Sequence, residues 1–280
     1  MIKIVTDSAT DVPDDLAREN GITCVPVYVT IGTKVYKDGV EIDQPELVRR
    51  MVEEKLVART SQPSPGDFLA AYRDLTADGS AVISIHISSG FSGTVQAANL
   101  ARNMLPDRDI TVIDTETASM TSGFAVLAAA RTAQLGATKE QIIQAARGAA
   151  RRARIFLTVD SLEFLLRNGR IGRAQALIGS ILSIKPVLTV QDGVIAAFDR
   201  VRGAQKVIPR LVELCRQHIP EGTRVSIAIG HVDVVEKARA LATELQKALN
   251  VGELFIFRTR AAITANVGPG AYGVMFCPEE

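Results

Sequence analysis

The chain has 280 residues, 47% hydrophobic and 22% charged, with a formal net charge of +1. This balance supports a sizeable core and lacks the basic excess of a nucleic-acid-binding surface. No apolar run is long enough to span a bilayer, so no stable membrane insertion is expected.

From the N-terminus, Ile2–Val5 reads as a short strand, with no signal-peptide layout around it. Asp14–Asn20 reads as a helix begun by Pro13, Thr23–Ile31 is β-rich, and Gln44–Glu54 is amphipathic. Pro65–Thr76 is predicted helical, Ala81–Ile87 a strand, Val95–Met104 a helix and Ile110–Ile113 a strand. Residues 122–135 and 139–153 are Ala-rich helices, with Gly136 stopping the first and Thr138 capping the second. This half predicts a three-layer α/β fold on a mostly parallel sheet, with its ligand at the strand C-terminal ends.

The second half reads differently. Strands are predicted at Ile155–Val159, Pro186–Val190, Val194–Ala197, Arg224–Ile229 and Leu254–Arg258, and helices at 161–167, 174–182, 204–218 and 234–249. Gln191-Asp192-Gly193 joins two β-runs as a hairpin turn would, so this half is expected to be a mixed-sheet α/β sandwich. The expected architecture is two α/β domains, 1–155 and 156–280, with a cleft between or beside them.

The most informative segment is Ser88-Ser89-Gly90-Phe91-Ser92-Gly93-Thr94. It places hydroxyls and free backbone N–H groups between a strand end and a helix start, a setting that suits an anion. It lacks the Gly-Lys-Ser/Thr of a Walker loop and is one residue short of a nucleophile elbow. Similar small polar loops occur at Thr6–Asp11, Thr60–Ser64 and Asp114–Ser119. Gly268-Pro269-Gly270-Ala271-Tyr272-Gly273 spells a dinucleotide fingerprint, but it precedes only a final strand, and Pro269 removes a donor. Arg170 and Arg202 stand beside glycines and can meet an anion bidentately; Lys185 precedes a strand. Arg147, Arg151, Arg152 and Arg154 crowd one helical region without acidic partners in the sequence, which reads as a solvated or partner-facing surface. Cys24, Cys215 and Cys277 show neither metal spacing nor a disulfide framework, and His86, His218 and His231 form no paired motif. A reducing cytoplasm and the absence of a metal or cofactor are therefore expected.

Taken in order, these segments, with Gly169-Arg170-Ile171, Ala176–Ser180 followed by Ile184-Lys185-Pro186, and Val201-Arg202-Gly203, resemble the DegV family from end to end. The resemblance implies a two-domain α/β carrier of one long-chain fatty acid such as palmitate. As in the family's better-understood FakB members, it would present the acyl carboxylate to a separate fatty acid kinase for acyl phosphate formation and phospholipid metabolism. It implies no catalytic residue. It puts the carboxylate on Thr60 and Ser89, with Ser61 and Ser92 as neighbours, and Arg170 and Arg202 near the head group or the kinase-facing surface. One position departs: Asn266 stands where the family usually has His, and an amide can donate a hydrogen bond but cannot shuttle a proton. The alternative is an enzyme acting on a small phosphorylated or carboxylated metabolite, with Arg170, Arg202 and Lys185 as clamps and Asp7 or Asp114 as base.

Overall fold

In the computed structural model, which describes residues 1–177 and 184–279, the first half runs in this order. β1 (Ile2–Asp7), α1 (Asp14–Glu19), β2 (Ile22–Val25), β3 (Tyr28–Ile31) and β4 (Lys34–Lys37) come first. They are followed by α2 (Gln44–Glu53), β5 (Ala58–Ser61), α3 (Pro65–Leu75), β6 (Ala81–His86) and α4 (Thr94–Asn103). β7 (Ile110–Asp114), α5 (Met120–Gln134) and α6 (Lys139–Arg152) complete it. β2-β1-β6-β7 form an all-parallel sheet. Alternation along the strands feeds both faces. Val5 and Val82 pack on Phe68, Tyr72, Ala98 and Ala101 of α3 and α4, whereas Ile4, Ile83 and Ile85 pack on Phe124 and Ala125 of α5. The result is the expected three-layer arrangement. α6 begins with the capping box that Thr138 suggested, closed by Gln141.

The second half contains β8 (Arg154–Thr158), α7 (Glu163–Arg167), β9 (Ile184–Gln191), β10 (Val194–Arg202) and α8 (Val207–His218). Next come β11 (Arg224–His231), α9 (Val235–Ala248), β12 (Asn250–Arg258), α10 (Ala261–Val267) and β13 (Tyr272–Pro278). The sheet order is β10-β9-β8-β13-β11-β12, with only β11 and β12 parallel, so it is mixed as expected. Asp192 and Gly193, both at positive φ, make the two-residue turn between β9 and β10. Leu211, Leu214, Leu241 and Leu245 of α8 and α9 cover one face. Ile155, Leu157, Leu188 and Met275 on the other face join the same core as α5 and α6. One continuous apolar core thus links the two sheets.

Four features differ from the sequence reading. The β-rich run 23–31 is two strands, because Pro26 has no N–H to continue a ladder. β3 then leaves the parallel sheet and pairs antiparallel with β4 and β5, a small sheet that was not expected. Its flanking strands are only four residues long and mostly polar, so neither carries a clear alternation. α10 was also missed, being seven residues of Ala-Ala-Ile-Thr-Ala-Asn-Val. Of the helix predicted at 174–182, residues up to Leu177 belong to a 3-10 helix, Gly172–Leu177; the rest, with Ile178-Gly179-Ser180, lies outside the described residues.

Candidate functional site

In the parallel sheet β2 lies on one side of β1 and β6 on the other, so the chain leaves the ends of β1 and β6 in opposite directions. That switch point opens a crevice beyond the strand C-termini. Here the crevice is a cavity with about 770 Å³ of atom-free space, mouth included. Ala9 and Ile87, just past β1 and β6, supply one wall; α10 supplies Ala262, Ile263 and Val267; Ile155, Leu157 and Ile195 come from the mixed sheet. Exposure grades along it. Ser61 and Gln62 are exposed, Thr60, Phe91, Ser92, Arg170 and Asn266 are half-buried, and Ala9, Leu157 and Leu165 are buried. The polar residues, the buried Ser119 apart, therefore cluster at the mouth and aliphatic ones fill the depth. A smaller hollow ending at Gly230, Tyr272 and Met275 shares Ser119, Ile155, Leu157, Ile263 and Val267 with the cavity, and so continues its apolar wall inward.

Four of the five residues expected at a carboxylate line this cavity: Thr60, Ser61, Ser92 and Asn266. Thr60 and Ser61 sit on β5, not in a loop, and α10 lies against that strand. Asn266 Nδ2 donates to the Ala262 carbonyl at 2.8 Å and, at 3.5 Å, to Thr60 Oγ1; its Oδ1 has no partner among the described residues. Ser92 Oγ shares a hydrogen with Thr94 Oγ1 at 2.8 Å. Ser89 is placed elsewhere. Its side chain is exposed and outside the lining, and its N–H donates to Asp114 Oδ2 at 3.2 Å. Most of the loop's amides, expected to be free, are satisfied within the fold. Gly90 N–H donates to Ser88 Oγ, Phe91 and Ser92 N–H donate to the Ser88 carbonyl, and Thr94 N–H donates to Ser92 Oγ. An anion at this mouth would meet mainly hydroxyls, not the start of α4.

Arg170 is the one charged residue among the described lining residues. Its Nε donates to the Phe91 carbonyl and its Nη1 to the Asn168 carbonyl, and no carboxylate pairs with it among the described residues. Arg202, at the exposed end of β10, lies outside the lining. Lys185 is paired with Asp160 at 2.7 Å. Asp7 is fully buried and Asp114 lines a separate cleft, so neither reaches this cavity.

Residues 1–279 match the family described as "Uncharacterised protein, DegV family". The chain belongs to the DegV family. A DegV domain-containing protein of Caldanaerobacter subterraneus is 36% identical over 275 residues, covering 98% of each chain. Among solved structures, a DegV family protein from Thermus thermophilus, described as binding fatty acid, aligns with a TM-score of 0.92 and 36% identity over 99% of each chain. A stearic acid-binding protein from Eubacterium ventriosum aligns at 0.91 and 27%, over 99% of this chain and 98% of that one. As in the other DegV proteins the fold is mixed α/β in two domains. No helix among the described residues is long and apolar enough to cross a membrane.

Sequence reading did not anticipate Gln62, Phe91, Leu165 or, on α10, Ala262, Ile263 and Val267 as lining. Only the proximity of Gln62 and Phe91 to the hydroxyl segments could have suggested them. α10 is held at its start by a buried polar cluster. Asp11 Oδ1 accepts the Arg260 N–H at 2.7 Å and Oδ2 accepts from Ser119, a lining residue; Asp38 accepts from Ser8 at 2.7 Å. Arg260 also pairs with Asp14. Burial pushes the Asp11 carboxyl up to about 7 and Asp38 to about 6, against the pull of their hydrogen bonds and Arg260. Both values exceed the 3.8 of a free carboxyl, so between these limits the folded protein holds protons that the unfolded chain has lost. Stability from this pair therefore rises as pH falls from about 8 to about 5. Urea midpoints measured across that range should show the trend, and Asp38→Asn should flatten it; a midpoint that falls throughout would contradict the assignment.

Proposed function

We propose that the chain binds one long-chain fatty acid, of about palmitate's length, and presents its carboxylate to a separate fatty acid kinase in the cytoplasm, with no catalytic residue of its own. The observation carrying this reading is the polarity of the cavity: at the mouth the hydroxyls of Thr60, Ser61 and Ser92 with Arg170, which meets no carboxylate among the described residues, and aliphatic walls behind. A carboxylate taken from water needs donors, and these side chains supply them. Burying a sixteen-carbon tail contributes roughly 11 kcal/mol gross at about 0.8 kcal/mol per methylene, before ordering costs. The tail thus supplies most of the affinity and the mouth sets its direction. The fatty acids bound by the structural neighbours support the same ligand class. Asn266 completes the mouth as a hydrogen-bonding group, and the exposed Arg202 belongs to the kinase-facing surface.

Mass spectrometry of an organic extract of the denatured protein tests this directly. One fatty acid per chain is expected. Thr60→Ala combined with Ser92→Ala should weaken retention about tenfold to hundredfold, since hydrogen bonds to a charged group are worth about 1.5–3 kcal/mol each and less at a half-exposed mouth. An empty extract, repeated after incubation with a mixed fatty acid pool, would sink the reading.

A further inference from the structure

A second concavity adjoins the cavity. It is a cleft with about 1260 Å³ of atom-free space, open side included, between the end of β7, the last turns of α6, the start of β8 and the β9–β10 turn. Ile155 and Val190 line both spaces, so the two adjoin. Three arginines line the cleft, Arg147, Arg151 and Arg154. Arg147 and Arg151 are four residues apart on α6 and share a face, a like-charge spacing that costs helix stability. Arg154 donates to the carbonyls of Arg151 and Ala153. Among the described residues none of the three meets a carboxylate within ion-pair distance. The negative end of the α6 dipole eases their mutual repulsion.

The carboxylates of the cleft are mostly engaged elsewhere. Asp114 accepts the N–H groups of Ser89 and Glu116, and Asp192 pairs with Arg173 at 2.9 Å. Glu116 alone has no hydrogen-bond or ion-pair partner through its side chain among the described residues. The cleft sits beyond the C-terminal end of β7, the edge strand of the parallel sheet. We infer that this cleft is a second, separate binding site for a small phosphoryl anion, held by the three arginines. Guanidinium groups pair bidentately with phosphoryl oxygens, and three of them match a multiply charged group better than a single carboxylate.

Inorganic pyrophosphate is the probe, titrated calorimetrically into the full chain after removal of bound lipid, so that the result does not depend on the ligand of the first cavity. Saturable one-to-one binding is expected at low salt, weakening as salt rises. Arg147→Gln with Arg151→Gln should weaken it at least about tenfold, the loss of charge-assisted bonds. Glu116→Gln should tighten it by removing the facing charge. Both variants alter exposed side chains, and unchanged thermal unfolding checks that they fold. Absence of saturable binding to the parent protein overturns the inference, as does equal affinity in the double arginine variant. Binding of a poly-glutamate peptide through the same arginines, without pyrophosphate binding, also overturns it and assigns the cleft to an acidic protein partner.

Discussion

Replacing Ala118 by Phe is expected to reduce fatty acid binding about a hundredfold or more while leaving thermal unfolding unchanged or slightly raised. Ala118 follows β7, is half-buried and lines the cavity at the level of Ser119, whose neighbours continue into the inner hollow. A phenyl ring there takes the place of about four tail methylenes. At about 0.8 kcal/mol each that is roughly 3 kcal/mol, a factor of about a hundred. The fold should tolerate the ring, because it extends into the cavity and creates no void. The expected loss exceeds that of removing mouth hydroxyls, since the tail supplies more of the affinity than the head. Parent-like retention by Ala118→Phe would mean that the acyl chain lies elsewhere.

Asp7→Ala should destabilise the fold by about 3–5 kcal/mol, more than any other substitution named above, because it strands buried donors. Asp7 Oδ2 accepts from His86 Nδ1 at 2.9 Å and from Ile87 N–H at 3.3 Å, and Oδ1 accepts from Ala9 N–H at 3.0 Å. With its Nδ1 hydrogen on the carboxylate, His86 can accept from Ser84 Oγ through Nε2 at 2.7 Å, and Tyr72 donates to that hydroxyl at 2.8 Å. The order Ser–His–Asp has the look of a hydrolytic triad, yet Asp7, Ser84 and His86 are each 0% exposed. The chain's effect is positional: Ala9 and Ile87, which Asp7 holds by their backbone, line the cavity. For a chain of this size each kcal/mol is worth about 2–4 °C, so melting should fall by about 10 °C. Asp7→Asn, which keeps an acceptor, should lose less. An unaltered melting point in Asp7→Ala would remove the structural role.

Much of the architecture was legible because its signals are local. Ile2–Val5 and Ala81–Ile87 show strand patterns, Pro65 opens a helix, and Asp192-Gly193 fits only a tight hairpin turn. Residues of the hydroxyl segments also line the cavity: Thr60, Ser61, Ser92 and Ser119. What could not be read was which hydroxyl of a cluster faces inward. Ser88 turns to the Gly193 carbonyl, Ser89 turns outward and Ser92 lines the cavity, a choice made by β9–β10 packing over a hundred residues away in sequence. The buried Thr and Ser of the Asp114 loop were likewise indistinguishable from ligands, although Thr115 bonds the His86 carbonyl and Thr117 bonds Thr121. α10 escaped notice because seven mostly small residues carry too little periodicity to announce a helix.

The placement of α10 against β5 also sets when, during synthesis, the site comes into being. Thr60 and Asn266 face each other across the mouth yet are 206 residues apart in the chain. A ribosome moving from the N-terminus delivers the hydroxyls of β5 and the Ser88–Thr94 segment early, with nothing opposite them. The opposite wall comes from β8 and β10 and, last, from α10. Contacts of such long sequence separation form late and slowly. A nascent chain therefore carries one wall of the cavity well before the opposite wall exists, and the enclosed space belongs to the finished molecule alone.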